Sequence, residues 1–342
     1  MKGDFFVSDI DEDILLQYDI DINKTFKGRG ALMCQSGENF YKLLAYNGTV
    51  CRAKFIEELQ KSLRDSGFYY LDSFVRNKDG DIISTNEYQE SFVLKEWPMG
   101  NECDVRNQKN VISGVETLAV LHNIFSRLSF VNDGIIPETP NVIWEYERHN
   151  KELKSIRNFM RKRHTRSGFE YDVLEHFDEY YGIAVNALDK IKSSGYEEIE
   201  KMSKEKNLFC HGNYNYHNII VINEGKNISY EKIAVVGFEK AGVGMQIKDL
   251  YFYLRKVMEK HNWNIELGIN IIEHYRRIRP VSKEEMRILV IMLEYPEKFW
   301  KIVNQYYNKN KCWIPEKNLE KLKAVYTQQK KKEIFLKKIV NI

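Results

Sequence analysis

His211-Gly212-Asn213-Tyr214-Asn215-Tyr216-His217-Asn218 runs directly into the apolar stretch Ile219-Ile220-Val221-Ile222. A polar loop containing Asn223, Gly225 and Asn227 then leads to a second apolar run, 233–236, which ends in Val236-Gly237-Phe238-Glu239-Lys240. Two short β-rich runs around a turn-rich loop predict a hairpin. The hairpin matters because it brings two polar loops, one before it and one after it, to the same end of a strand pair. A His-Gly-Asn run alone carries little information. In front of this hairpin it decides the architecture.

Working outward, the first hundred residues mix strand-like runs with one helical stripe. Gly28-Arg29-Gly30 precedes the run 31–34, and Ser36-Gly37-Glu38-Asn39 separates that run from 40–44. This pattern predicts a hairpin with a glycine-containing turn, and its glycines fall short of a phosphate-loop signature. Phe55, Ile56, Leu59 and Leu63 recur at helical spacing over 52–65. The run 68–75, the turn Asn77-Lys78-Asp79-Gly80 and the strand-like 91–97 complete an α+β unit around a small antiparallel sheet. After Pro98-Met99-Gly100 helical periods take over, beginning with Val111, Val115, Leu118, Leu121 and Phe125 on one stripe. The expectation is a bilobal α+β fold with a sheet-rich lobe over residues 1–99, a mainly helical lobe over 100–342, and a cleft near residue 97.

The two loops around the hairpin resemble the catalytic and metal loops of aminoglycoside phosphotransferases and choline-kinase-like proteins. Their pattern is His-Gly-Asp, four residues, Asn, a hairpin, and an Asp-centred loop. Within that protein-kinase-like superfamily the chain is similar to the CotS-type spore-coat proteins. The similarity is carried by Gly67-Phe68, the Thr85 region, Glu96-Trp97-Pro98-Met99-Gly100, Leu118-Ala119-Val120-Leu121-His122, Cys210 before the His-Gly pair, and Asp249-Leu250-Tyr251 with Arg255-Lys256. It runs from about residue 10 to about residue 335.

Phosphoryl transfer needs positioning and charge neutralisation more than covalent chemistry. The resemblance implies a catalytic-loop carboxylate that accepts the hydroxyl proton, an Asn and an Asp that hold magnesium, and a lysine paired with a helix glutamate that grips the nucleotide. Mapped here, the proton-accepting position falls on Asn213, whose amide takes no proton at neutral pH, and the main metal position falls on Gly237, which has no side chain. Asn218 remains as a metal ligand, and Glu239 is a weaker second candidate. The nucleotide set is Lys42, Glu58, Glu96, Asn218 and Glu239. Glu57 stands as an alternative to Glu58, because helical phase does not choose between them. His122, His211 and Asp249 read as architectural, with Asp249 anchoring backbone amides of the catalytic loop. A positioned base is worth roughly 10²–10⁴ in rate and a metal ion several kcal/mol. Losing both predicts a pseudokinase that keeps no certain cofactor, with ATP and magnesium as possibilities only. Two alternatives stay open: an ATP-dependent small-molecule phosphotransferase with an unusual metal site, and a nucleotide-binding regulator without turnover.

Composition narrows the remaining classes. The 342 residues are 43% hydrophobic, ample for a large core, and 52 basic against 49 acidic side chains argue against nucleic-acid binding. Cys34, Cys51, Cys103, Cys210 and Cys312 form no CxxC pair, which reads as reduced intracellular thiols. No signal peptide is evident behind Met1-Lys2-Gly3-Asp4, and no apolar run approaches the ~20 residues of a membrane span. The expectation is a soluble protein made in the cytoplasm, placed in the spore coat among other coat proteins by the family resemblance. Basic clusters at 157–166 and 330–338 read first as solvated helix faces.

Overall fold

The computed structural model describes residues 13–128, 136–222, 232–308 and 315–340, so the loop holding Asn223, Gly225 and Asn227 lies outside the described residues, as does Cys312. These residues fall into two compact units, one within 3–139 and 206–253, the other within 140–205 and 254–342.

The first unit is built on an antiparallel six-stranded sheet in the order β1 (Lys24–Gly28), β2 (Ala31–Ser36), β3 (Asn39–Ala45), β6 (Ser91–Trp97), β4 (Ser73–Val75), with β5 (Ser84–Thr85) also paired to β6. Alternation sorts the side chains. Leu32, Cys34, Tyr41, Leu43, Phe92 and Leu94 fill one face together with Ile14 and Tyr18. Tyr46, Ala53, Ile82 and Val93 cluster on the other, with Leu44 and Phe74 packed against them. Helix α1 (Val50–Asp65) is capped by the Thr49 hydroxyl, which accepts the Arg52 N–H at 3.2 Å. It buries Phe55, Ile56, Leu59, Gln60 and Leu63.

Only Ser73–Val75 of the expected run 68–75 joins this sheet. The residues before it leave for the hairpin instead. Leu71 bridges Val235 in parallel, and Val235 N–H donates to Tyr70 O at 3.0 Å. The hairpin itself, β9 (Ile219–Ile222) with β10 (Lys232–Val235), pairs Ile219 with Val235 and Ile222 with Lys232. The strand β7 (Asn101–Glu102), immediately after Gly100, adds to β9 and ties the chain beyond residue 99 to the hairpin. A two-stranded pair, β8 (Phe209–Cys210) with β11 (Gly242–Val243), closes the loops at their base. Helix α2 (Gln108–Phe125) buries Val111, Val115, Leu118, Leu121 and Phe125, the expected stripe.

The second unit is helical: α3 (Val142–Lys162), α4 (Gly168–Lys192), α5 (Tyr196–Glu205), α7 (Ile265–Ile278), α8 (Lys283–Glu294), α9 (Glu297–Asn308) and α10 (Pro315–Ile339), with α6 (Ile247–Met258) shared at the division. A core cluster in it joins Leu153 and Met160 of α3, Phe169 and Phe177 of α4, Phe299 and Val303 of α9, and Leu322 of α10. The 157–166 cluster is largely committed inside this unit. Arg157 pairs with Asp178, Arg163 with Glu170, and Arg166 donates to the carbonyls of Met160 and Arg161. Among the described residues, no helix is long and apolar enough to cross a membrane.

Candidate functional site

The catalytic-type loop is held from beneath by one carboxylate. Asp249, in the first turn of α6 and fully buried, accepts the His211 N–H at 2.7 Å on Oδ2 and the Gly212 N–H at 2.9 Å on Oδ1. His122 Nε2 lies 3.2 Å from the same Oδ2. Gly212 has φ +73, and a Cβ there would stand 2.0 Å from Lys240 O, so only glycine permits the two loops to approach this closely. His211 bridges them. Its Nε2 sits 3.0 Å from Val236 O, which can only accept, so that nitrogen carries the proton and Nδ1 accepts the Asn213 N–H at 3.3 Å. Complete burial holds the imidazole below its ordinary pKa, consistent with a neutral ring.

At the mouth of these loops stand amides. Asn218 Nδ2 donates to Asn213 O at 3.0 Å, and Asn215 Nδ2 to the same oxygen at 2.7 Å. Gly237 is left-handed, φ 83 and ψ 50, and an ideal Cβ at this position would lie 3.1 Å from Asn218 Cγ and Oδ1. Positions 218 and 237 therefore face each other, with an amide on one side and a hydrogen on the other.

The charged part of the site differs from the expected pair. Lys42 and Lys95 are directly opposed on β3 and β6, so both side chains rise from the same face of the sheet. Lys95 is the buried one. Its Nζ donates to Asp72 Oδ2 at 2.8 Å and also to Glu239 Oε1, and it lies 4.7 Å from the centre of the Phe74 ring. Asp72, also fully buried, accepts further from Gln60 Nε2 at 2.9 Å and from the Gly237 N–H at 3.3 Å. Burial works against the Lys95 charge, but Asp72 and then Glu239 outweigh it and raise its pKa. The same attraction holds Glu239 below the usual carboxylate value against the opposing effect of burial. Helix α1 clamps the loop from the side, with Arg52 Nε and Nη2 donating to Glu239 O at 3.1 and 2.9 Å.

Lys42 is half-buried, its Nζ 4.0 Å over the Trp97 ring, and makes no ion pair among the described residues. Burial lowers its pKa, while Glu239 and Asp72 pull the other way. The expected Lys42–Glu58 pair is not formed, because Glu58 points outward from α1 and the polar residue on the buried face is Gln60. Glu57 is no substitute, since it pairs with Arg76 at 2.6 Å. Glu96 projects from the sheet face opposite Lys95 and takes the Ser73 hydroxyl at 3.1 Å. Asp72 and Lys95, absent from the expected set, each left a trace as a lone charge within an apolar run: Tyr70-Leu71-Asp72-Ser73-Phe74 and Val93-Leu94-Lys95. A second polar link lies at the turn between β1 and β2. Arg29 grips both oxygens of Glu102, at 3.0 and 3.2 Å, and His217 Nδ1 lies 2.8 Å from Glu102 Oε2. Among the described residues, no three His, Cys, Asp or Glu side chains are grouped to hold a metal ion.

Residues 11–339 match the family model described as "Spore coat putative kinase YutH". This chain belongs to that spore-coat family. Spore coat protein S of Bacillus subtilis (strain 168) is 26% identical to it over 173 residues, 50% of this chain and 47% of that protein, so the match spans about half of the curated relative. Among solved structures, an aminoglycoside phosphotransferase from Alicyclobacillus acidocaldarius superposes with a TM-score of 0.79 at 17% identity, covering 96% of this chain and 95% of the other. A microcompartment-associated aminopropanol kinase gives 0.68 at 12% identity, covering 97% and 98%. The AMP-bound spectinomycin phosphotransferase APH(9)-Ia gives 0.66 at 14% identity, covering 93% and 97%. The member of the spore-coat YutH family described here thus has the α+β kinase-like fold.

Proposed function

We propose that this family member is a catalytically degenerate kinase-like protein that serves in the spore coat as a structural or assembly component, with other coat proteins as partners. The observation that carries the reading is at position 237. A glycine faces Asn218 where the superfamily pattern places a metal-binding aspartate. The flanking carboxylates offer no replacement, because Asp72 and Glu239 are both held by Lys95. Asn213 further leaves the catalytic-base position without a proton acceptor. On this reading the donor set does not suit magnesium, which demands hard oxygen ligands in near-octahedral geometry. The division into a kinase-like N-lobe over 1–99 and a helical C-lobe with degenerate catalytic and metal loops over 100–342 belongs to the same proposal, as does localisation in the coat.

Calorimetric titration with ATP, with and without magnesium, tests the proposal. The expected result is no magnesium-dependent gain in affinity and no ADP release above a Lys42→Ala control. Magnesium-dependent turnover would overturn the reading in favour of a phosphotransferase. Tight binding unaffected by magnesium would replace it with a nucleotide-binding regulator. The double variant Asn213→Asp, Gly237→Asp is expected to bind ATP more tightly with magnesium than without it, with most of the change supplied by position 237. Aspartate there must accept a left-handed backbone, at a cost of about 1 kcal/mol or more, so ligand-free melts accompany the titration. A folded double variant with no such gain would refute the mapping of the metal loop.

A further inference from the structure

The helical unit contains a cavity of about 220 Å³ between α4, the end of α8 and α10. Most of its wall area is apolar, with Ile183, Leu336 and Val340 as the apolar residues and Glu294, Glu333 and Lys337 sharing the lining, and Lys332 of the tail cluster borders it too. Lys332 stands apart from its neighbours in sequence. Lys330, Lys331, Lys337 and Lys338 are exposed, whereas Lys332 is 8% exposed. Its Nζ donates to the carbonyls of Glu294 and Tyr295, at 3.1 and 3.3 Å, where α8 ends with oxygens that have no partner inside the helix.

The number of hydrogens is informative here. An ammonium has three N–H donors, and the hydrogen bonds here use two. A neutral amine has two, matching the two carbonyls, and keeps a lone pair. The Trp263 ring is 5.4 Å from Nζ and favours the cation, as do Glu259, Glu294 and Glu333, while Arg255 opposes it. Burial outweighs these groups and brings the pKa down to about 8.

We propose that Lys332 is an acylation site whose ε-amine takes a short acyl group from an activated acyl donor into the adjoining cavity. The amine lone pair attacks the donor's carbonyl carbon and the C–N bond forms. The bond from that carbon to the leaving group breaks, and one N–H proton departs with the leaving group. The amide that results retains one N–H for a carbonyl at the end of α8. It removes a charge that burial opposes and gives the apolar wall an apolar group to cover.

The test is incubation of the folded, full-length protein with acetyl phosphate across pH 6–10, followed by peptide mapping of every acetylated lysine. At pH 7 an amine titrating near 8 is about one-tenth neutral, against less than about one-thousandth for an ordinary lysine. Even with restricted access, Lys332 is expected to react roughly tenfold faster than the median exposed lysine. Its rate is expected to level off above pH 8 while the exposed lysines continue to rise. The advantage is expected to vanish in urea and in Ile183→Trp, which fills the cavity. Lys332 reacting no faster than Lys337, or keeping its advantage in urea or in a folded Ile183→Trp variant, would overturn the proposal.

Discussion

Replacing Lys95 by methionine is expected to cost about 3–5 kcal/mol of stability, the range for breaking a buried ion pair from one side. Methionine keeps most of the unbranched apolar stem and lacks the ammonium, so most of the loss is electrostatic. What remains is Asp72, fully buried, with only Gln60 and the Gly237 N–H to satisfy a full negative charge. Glu239 suffers less, because its side chain is 38% exposed and water can replace the ammonium. Chemical unfolding of the Lys95→Met variant measures the loss, and the double variant Lys95→Met, Asp72→Asn is expected to recover most of it. A single variant within about 1 kcal/mol of the parent would show that the triad contributes little.

The pH dependence has a definite sign. A raised lysine contributes stability below its ordinary value of 10.5, lost only as pH climbs through the higher folded value. A depressed carboxyl contributes above its ordinary 4.5, lost as pH falls through the lower folded value. The parent's Lys95–Glu239 contribution is therefore level between those limits and declines in acid. In Lys95→Met the deficit is expected to hold between pH 7 and 5 and to shrink below the ordinary carboxyl value of 4.5, where the parent loses its Lys95–Glu239 contribution. Thermal melts of both proteins from pH 7 to below that value provide the measurement. A deficit independent of pH would mean that lost packing, and not charge, is responsible.

How much of this was legible beforehand depends on which side chains local pattern can place. The hairpin, the α1 and α2 stripes and the strand Ser91–Trp97 follow from periodicity, which reports local structure directly. The opposition of Asn218 and Gly237 follows from loop spacing around a hairpin. The ionic centre does not, for two reasons. Lys42 and Lys95 are equivalent in the sheet register, and only the packing of residues 70–72 against β10 decides that Asp72 meets Lys95. That packing takes the segment out of the sheet, so a strand pattern over 68–75 hides it. Likewise α1 is not the element that supplies the lysine's partner. Its buried face supplies Gln60 instead, and the acids come from the segment before β4 and from the loop after β10.

The second large effect is expected at Asp249. Its two carboxylate oxygens accept two backbone N–H groups of the catalytic-type loop, and one of them also faces His122. Alanine leaves both donors without an acceptor, at about 1–3 kcal/mol each when buried. Relief by water is confined to the Gly212 N–H, which is part-buried, since Asp249, His211 and His122 are all fully buried. Asp249→Ala is therefore expected to lower the melting temperature by several degrees or more, whereas Asp79→Ala, in the exposed turn at 77–80, is expected to change it little. Asp249→Asn separates charge from hydrogen bonding. Its carbonyl oxygen can still take one of the two N–H groups, so it is expected to fall between the parent and alanine. Equal melting of Asp249→Ala and Asp79→Ala would mean that the loop holds its shape without the carboxylate. The loop would then be fixed from above, by His211 between Val236 O and the Asn213 N–H and by the close pass of Gly212 under Lys240. Substitution of Gly212 by alanine would in that case become the more damaging change, because its Cβ must displace backbone that no side-chain movement can clear.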